Sequence, residues 1–166
     1  MKLWLFCAAA CLAVPSEVLS QDLAFSPDAT LTCLEAGGGT ECVGLSASTC
    51  IDTPDGYTTV GMGFCYDAER RLWDARLNEI YGRLLTLERK GEAELKDLGS
   101  SAPETVEPLR QMQRAWISFR DAACDYERVQ WGGGTGGGPA TVQCLMQETA
   151  AQTLRLARRL ADLEGR

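Results

Sequence analysis

The residues able to do chemistry in this chain are carboxylates and cysteines, because it contains no histidine. That removes Ser-His-Asp triads, Cys-His nucleophiles, the helical histidine pair of zinc proteases and C-x-x-C-H haem attachment. Glu69, Asp74, Glu79, Asp121, Asp125 and Glu127 are the carboxylates to weigh as a glycosidase pair. Such a pair faces itself across a cleft, roughly 5–9.5 Å apart. These six stand on helical stretches at the spacing of solvated faces, so no catalytic residue is assigned. No C-x-x-C pair occurs among the cysteines, which argues against zinc or redox chemistry. The run WGGGTGGGPA (Trp131 to Ala140) lacks the Gly-Lys-Ser/Thr ending of a phosphate loop and follows a helix, not a strand. No cofactor or metal is expected.

A second group of polar residues reads as structural. In QMQRAWISFRDAAC (Gln111 to Cys124), Leu109, Met112, Trp116 and Ala123 make a core-facing stripe, and Gln113 and Arg120 fall inside it. A guanidinium turned toward a core needs a partner, since burying it bare costs several kcal/mol. Asp74 flanks the stripe of the preceding helix, one turn before Asn78. The expectation is a buried cluster of Asp74, Asn78, Gln113 and Arg120 that fixes helix register.

Three amphipathic stretches must position these groups. The first is expected over about Gly63 to Lys90, with Tyr66, Trp73, Leu77, Ile80, Tyr81 and Leu84 inward, a kink at Gly91 and a continuation to Gly99. Ser101 and Glu104 have capping-box spacing around Pro103, so the second helix starts there and runs to about Gln130. The third begins near Pro139 to Thr141 and reaches Leu163, with Val142, Leu145, Met146, Thr149, Thr153, Leu156 and Leu160 inward. The fold class is therefore all-α: an antiparallel three-helix bundle behind a loop-rich, disulfide-pinned N-terminal arm. In the arm, Pro27-Asp28 starts a short helix to Leu34 or Glu35, ended by Gly37 to Gly39. Residues 56–63 read as a turn and N-cap. Between the second and third helices, Trp131, Gly132, Thr135 and Pro139 form either a connector or a loop that enters a partner's cleft. Packing of Trp131 over a Cys124–Cys144 bridge is the favoured placement, an exposed anchor the alternative.

The N-terminus sets the compartment. MKLWLFCAAACLAV, then Pro15 and Val-Leu-Ser, reads as a secretory leader cleaved near Ser20. Its apolar run is shorter than the ~20 residues of a membrane span. Lipidation at Cys11 is the disfavoured alternative. The organisation is then residues 1–20 as signal peptide, 21–49 as a Cys-rich arm and 50–166 as a helical domain, exported to the periplasm or beyond. Cys33, Cys42, Cys50, Cys65, Cys124 and Cys144 remain, an even number that reads as three disulfides. Proximity favours Cys33–Cys42, Cys50–Cys65 and Cys124–Cys144. A formal charge of −7 argues against nucleic acid or membrane partners and suits a basic one.

These pieces, in order, resemble the lysozyme-inhibitor LprI N-terminal-domain family. The carriers are WDARLNEIY (Trp73 to Tyr81), QMQRAWISFRDAAC, the Gly-rich loop, Cys144 and TAAQTLRLARRL (Thr149 to Leu160), across about Cys50 to Leu160. The resemblance supports the Cys50–Cys65 and Cys124–Cys144 pairings. It implies a non-enzymatic protein that binds and inhibits lysozyme-type peptidoglycan hydrolases. The contrasting expectation is a structural or interaction protein of the cell envelope with no lysozyme target.

Overall fold

The computed structural model describes residues 23–165, so the leader expected at 1–20, with Cys11 and Ser20, lies outside the described residues. Among the described residues five α-helices follow one another: α1 (Asp28–Glu35), α2 (Leu45–Ile51), α3 (Thr59–Asp97), α4 (Val106–Val129) and α5 (Gly137–Glu164). A 3₁₀ turn, Thr40–Cys42, joins α1 to α2. The fold is all-α, as the periodicity predicts. The arm is more ordered than a loop-rich reading allows, because α2 forms where no helix was expected.

Helix α3 is longer and straighter in sequence than predicted. It begins at Thr59, where the Thr58 hydroxyl caps it by accepting from the Gly61 N–H at 2.9 Å. It then runs through Gly82 and Gly91 without a break. A glycine costs an exposed helix only ~1 kcal/mol, and the surrounding turns carry it through. Gly61 itself answers to packing: a Cβ there would meet the Asp55 carbonyl at 2.1 Å, so only glycine lets the 53–58 turn fold against the helix start.

The capping box expected at Ser101 and Glu104 does not set the start of α4. That helix begins later, at Val106, and its first N–H groups are met from α3. The Glu92 carboxylate accepts from Thr105 and Val106 N–H, and Glu88 accepts the Thr105 hydroxyl at 2.7 Å. A carboxylate on an antiparallel neighbour reached the orphan donors first.

Side-chain links give the helix directions. Thr153 donates to the Trp73 carbonyl, and Arg83 pairs with Glu164 further along both helices, so α3 and α5 run parallel. Gln113–Gln152 and Cys124–Cys144 advance in opposite senses, so α4 runs antiparallel to α5. The bundle is thus up-down-up, with its broadest interface between α3 and α5.

Its interior has two parts. One cluster joins the arm to the bundle: Ala47, Cys50, Cys65, Trp73, Met146 and Ala150, with Phe25, Leu34 and Val43 against them. The other lies toward the α3–α4 hairpin: Leu77, Leu84, Trp116 and Leu156, with Leu109 and Met112. The predicted inward stripes supply all four buried members of the second cluster but only Trp73 and Met146 of the first, which the arm, the cysteines and Ala150 complete. The boundary drawn between residues 49 and 50 falls inside α2, whose residues belong to the first cluster.

Candidate functional site: the disulfide-linked end

The disulfides among the described residues brace one end of the bundle and the arm: Cys50–Cys65 and Cys124–Cys144 lie near the starts of α3 and α5, whereas the turn closed by Cys33–Cys42 lies further along α5, beside Leu154, Ala157 and Ala161. They pair Cys33–Cys42, Cys50–Cys65 and Cys124–Cys144, closing sequence separations of 9, 15 and 20 residues. The first ties the Gly37–Gly39 turn to α1, the second ties α2 to α3, and the third ties α4 to α5. Because α3 and α5 start and α4 ends where the second and third of these lie, that end carries the glycine loop and the chain that leads from the arm into α3.

The arm is seated by a carboxylate that the sequence reading placed on a solvated face. Glu69 is fully buried. Its Oε1 accepts from the Gly44 N–H at 2.7 Å and from Trp73 Nε1 at 3.0 Å, and its Oε2 accepts from the Ala47 N–H at 2.7 Å. Two of these donors are the orphan amides at the start of α2, where Gly44 takes the left-handed φ of +89° that a side chain would resist. A buried charge is tolerable when several donors surround it. Beside it, Thr30 and Ser46 exchange backbone-to-hydroxyl bonds at 3.0 and 3.1 Å, joining α1 to α2. One signal was available: Glu69 lies one helical turn from both Cys65 and Trp73, inside the inward stripe.

The expected four-residue polar cluster does not assemble. Asn78 donates to Asp74 at 3.2 Å on an exposed face of α3. Gln113 accepts from Gln152 of α5 at 2.9 Å. Arg120 forks onto its neighbour Asp121 at 2.9 and 2.7 Å and lies 5.0 Å over the Trp116 ring. A long side chain at the edge of a stripe can cover an aromatic face and turn its head back to the surface, so the guanidinium needed no carboxylate from α3.

The glycine loop is compact. Left-handed Gly132 and Gly133 turn the chain, and Trp131 lies over Gly136, where a Cβ would meet its ring at 2.3 Å. Trp131 stays 50 % exposed and so does not disappear against the disulfide as favoured. Gly132 and Thr135 are exposed, but Pro139 is buried in the first turn of α5, so it drops out of the contact set. Other carboxylates considered for catalysis stand apart: Glu79, Asp121, Asp125 and Glu127 are exposed and Asp74 is half-buried.

The geometry defines a class: an all-α, disulfide-braced domain with one covalently stiffened, aromatic-bearing end. A family model described as "Lysozyme inhibitor LprI" matches residues 50–156, more than half of the chain. The chain belongs to that family. It is also 28 % identical over 104 residues to "Uncharacterized protein R02472" of Rhizobium meliloti (strain 1021), covering 63 % of this chain and 75 % of that protein. No solved structure matches. No helix among the described residues is long and apolar enough to cross a membrane.

Proposed function

We propose that this protein is an exported inhibitor that binds lysozyme-type peptidoglycan hydrolases and blocks them without turnover. Membership of the LprI family over residues 50–156 carries the reading. Three disulfides support an oxidising location, periplasmic or extracellular, and a leader at 1–20 would deliver the chain there. Binding rather than chemistry suits the buried carboxylate too: both oxygens of Glu69 are committed to N–H donors within the fold. The disulfide-linked end is the contact region, with Trp131, Gly132 and Thr135 reaching the partner. A loop braced at its base by Cys124–Cys144 loses less freedom on docking than an open one. The formal charge of −7 suits a basic hydrolase.

The test is a lysis assay in which the oxidised mature protein is titrated into a basic lysozyme acting on cell walls. Stoichiometric suppression is expected. No suppression at large molar excess, with the fold verified by circular dichroism, would leave the contrasting reading: an interaction protein of the envelope with another target.

A further inference from the structure

The net charge of the chain is not spread over it. No lysine or arginine stands between Lys2 and Arg70, whereas residues 70–165 hold fourteen Lys/Arg and fourteen Asp/Glu. The arm therefore carries the molecule's acidity. Asp28, Glu35 and Glu41 are exposed on it, and Asp52 and Asp55 are exposed on the turn that follows it. Of the other two carboxylates among the described residues before Arg70, Asp67 is paired with Arg70 and Arg71 and Glu69 is buried. Glu41 is held below the usual carboxylate range by its own and the Gly39 backbone N–H, so it stays ionised at neutral pH.

Within this acidic region lies an unpartnered apolar groove of about 310 Å³, lined by Leu23, Asp55, Thr58, Val60, Gly61 and Phe64. Val60 is 82 % exposed and Phe64 45 %, and Tyr57, beside Thr58, is 77 % exposed. Large apolar side chains this exposed and close together, with the Asp55 carboxylate among them, mark an interaction surface more often than chance solvation. The groove also has a firm base: the Cys50–Cys65 disulfide and the Thr58 cap hold the segment between α2 and α3 on which it is built.

We infer that this groove, where the arm meets the start of α3, is the principal docking surface for a cationic protein, which seats an apolar side chain among Leu23, Val60 and Phe64 while its Lys/Arg groups face the arm's carboxylates. The inference rests on the inhibitor reading for the identity of that protein, a basic lysozyme-type hydrolase. The charge distribution selects the occupant, since a second copy would set two surfaces of like charge against each other. Of the groove, Leu23 lies outside the family match and Asp55, Thr58, Val60, Gly61 and Phe64 lie inside it, so the surface joins the arm to the shared helical domain.

The experiment is calorimetric titration of the oxidised protein into a basic lysozyme at low and raised ionic strength. Val60→Ser with Phe64→Ser should raise Kd about tenfold or more, as loss of a central anchor does, with the melting temperature retained. Should Phe64→Ser prove unstable, Tyr57→Ser with Val60→Ser carries the same test on more exposed side chains. Asp52→Asn with Asp55→Asn should slow association and flatten the dependence on salt. Leu98→Ser, equally exposed at the opposite end, should change nothing. Unchanged affinity in the groove variants, with the wild type binding, overturns the groove and leaves the inhibitor reading standing. A wild-type dimer dissolved by Val60→Ser assigns the groove to a second copy and likewise overturns the inference. No binding by the wild type overturns the reading, and this inference with it.

Discussion

Helix α3 uses the same device at both of its ends, with different consequences. Near its start, Glu69 caps α2; near its finish, Glu92 caps α4. In each case one carboxylate satisfies two orphan amides at a helix N-terminus, where the macrodipole also favours negative charge. Glu69 does so fully buried, with a third bond from Trp73 and a disulfide four residues before it in sequence. Glu92 does so near solvent, among Glu88, Thr105 and Arg110, with no covalent link nearby. Identical chemistry makes a structural keystone in one place and a screened, titratable clasp in the other. Burial and cross-linking decide the difference, and they coincide with where the exposed aromatic groups and the acidic arm lie.

The largest effect should come from removing the covalent brace. Cys50→Ser with Cys65→Ser opens a link of sequence separation 15 and should cost about 3 kcal/mol. Urea unfolding measures it, and a loss under 1 kcal/mol would show that the arm is held by its polar bonds alone. Next comes Glu69→Ala, which strands the buried Ala47 and Trp73 N–H donors and the part-buried Gly44 N–H, at roughly 1–3 kcal/mol for each buried one before relaxation. A total near 3 kcal/mol is expected, with faster amide exchange at Gly44 and Ala47.

The clasp at the other end should respond to pH instead. Backbone N–H groups of Val106 and then Thr105 hold the Glu92 carboxyl below its ordinary range. A depressed folded pKa means its contribution is complete above the ordinary glutamate value of about 4.3 and disappears as pH falls through the lowered one. Amide exchange at Thr105 and Val106, corrected for intrinsic rates, should accelerate through that window, and Glu92→Gln should reproduce the acceleration at neutral pH. Glu92→Gln should leave Gly44 and Ala47 protected. Equal loosening at both ends would remove the distinction.

The smallest effect should be that of Arg120→Ala. With Asp121 half-exposed and the guanidinium resting on Trp116, the loss should be about 1 kcal/mol or less. A drop of several kcal/mol in thermal or urea unfolding would restore the idea of a register-fixing buried arginine.

Which parts were legible follows from the range of the forces involved. The helical stripes through Trp73, Leu77, Leu84, Met146, Leu156 and Leu160 could be read because periodicity is local and core burial follows it. The nearest-neighbour disulfide pairs followed from proximity along the chain. Helix α2 was missed because its start is stabilised from α3, 22 to 25 residues away in sequence. The α4 cap was misplaced for the same reason. Of the loop proposed for binding, Trp131, Gly132 and Thr135 remain exposed and Pro139 does not, a division set by how α5 begins.

The sequence by itself determined a helical chain with an acidic N-terminal third, six cysteines beyond the leader-like run that suit an oxidising compartment, and the motifs of the LprI family. Each is a property of residue type and near spacing. The tertiary structure alone decided which of many similar carboxylates became the buried keystone, which aromatic groups stayed outside and which end of the bundle was made rigid. Those outcomes depend on how distant segments approach one another, because desolvation and hydrogen-bond satisfaction are fixed only by the neighbours that arrive.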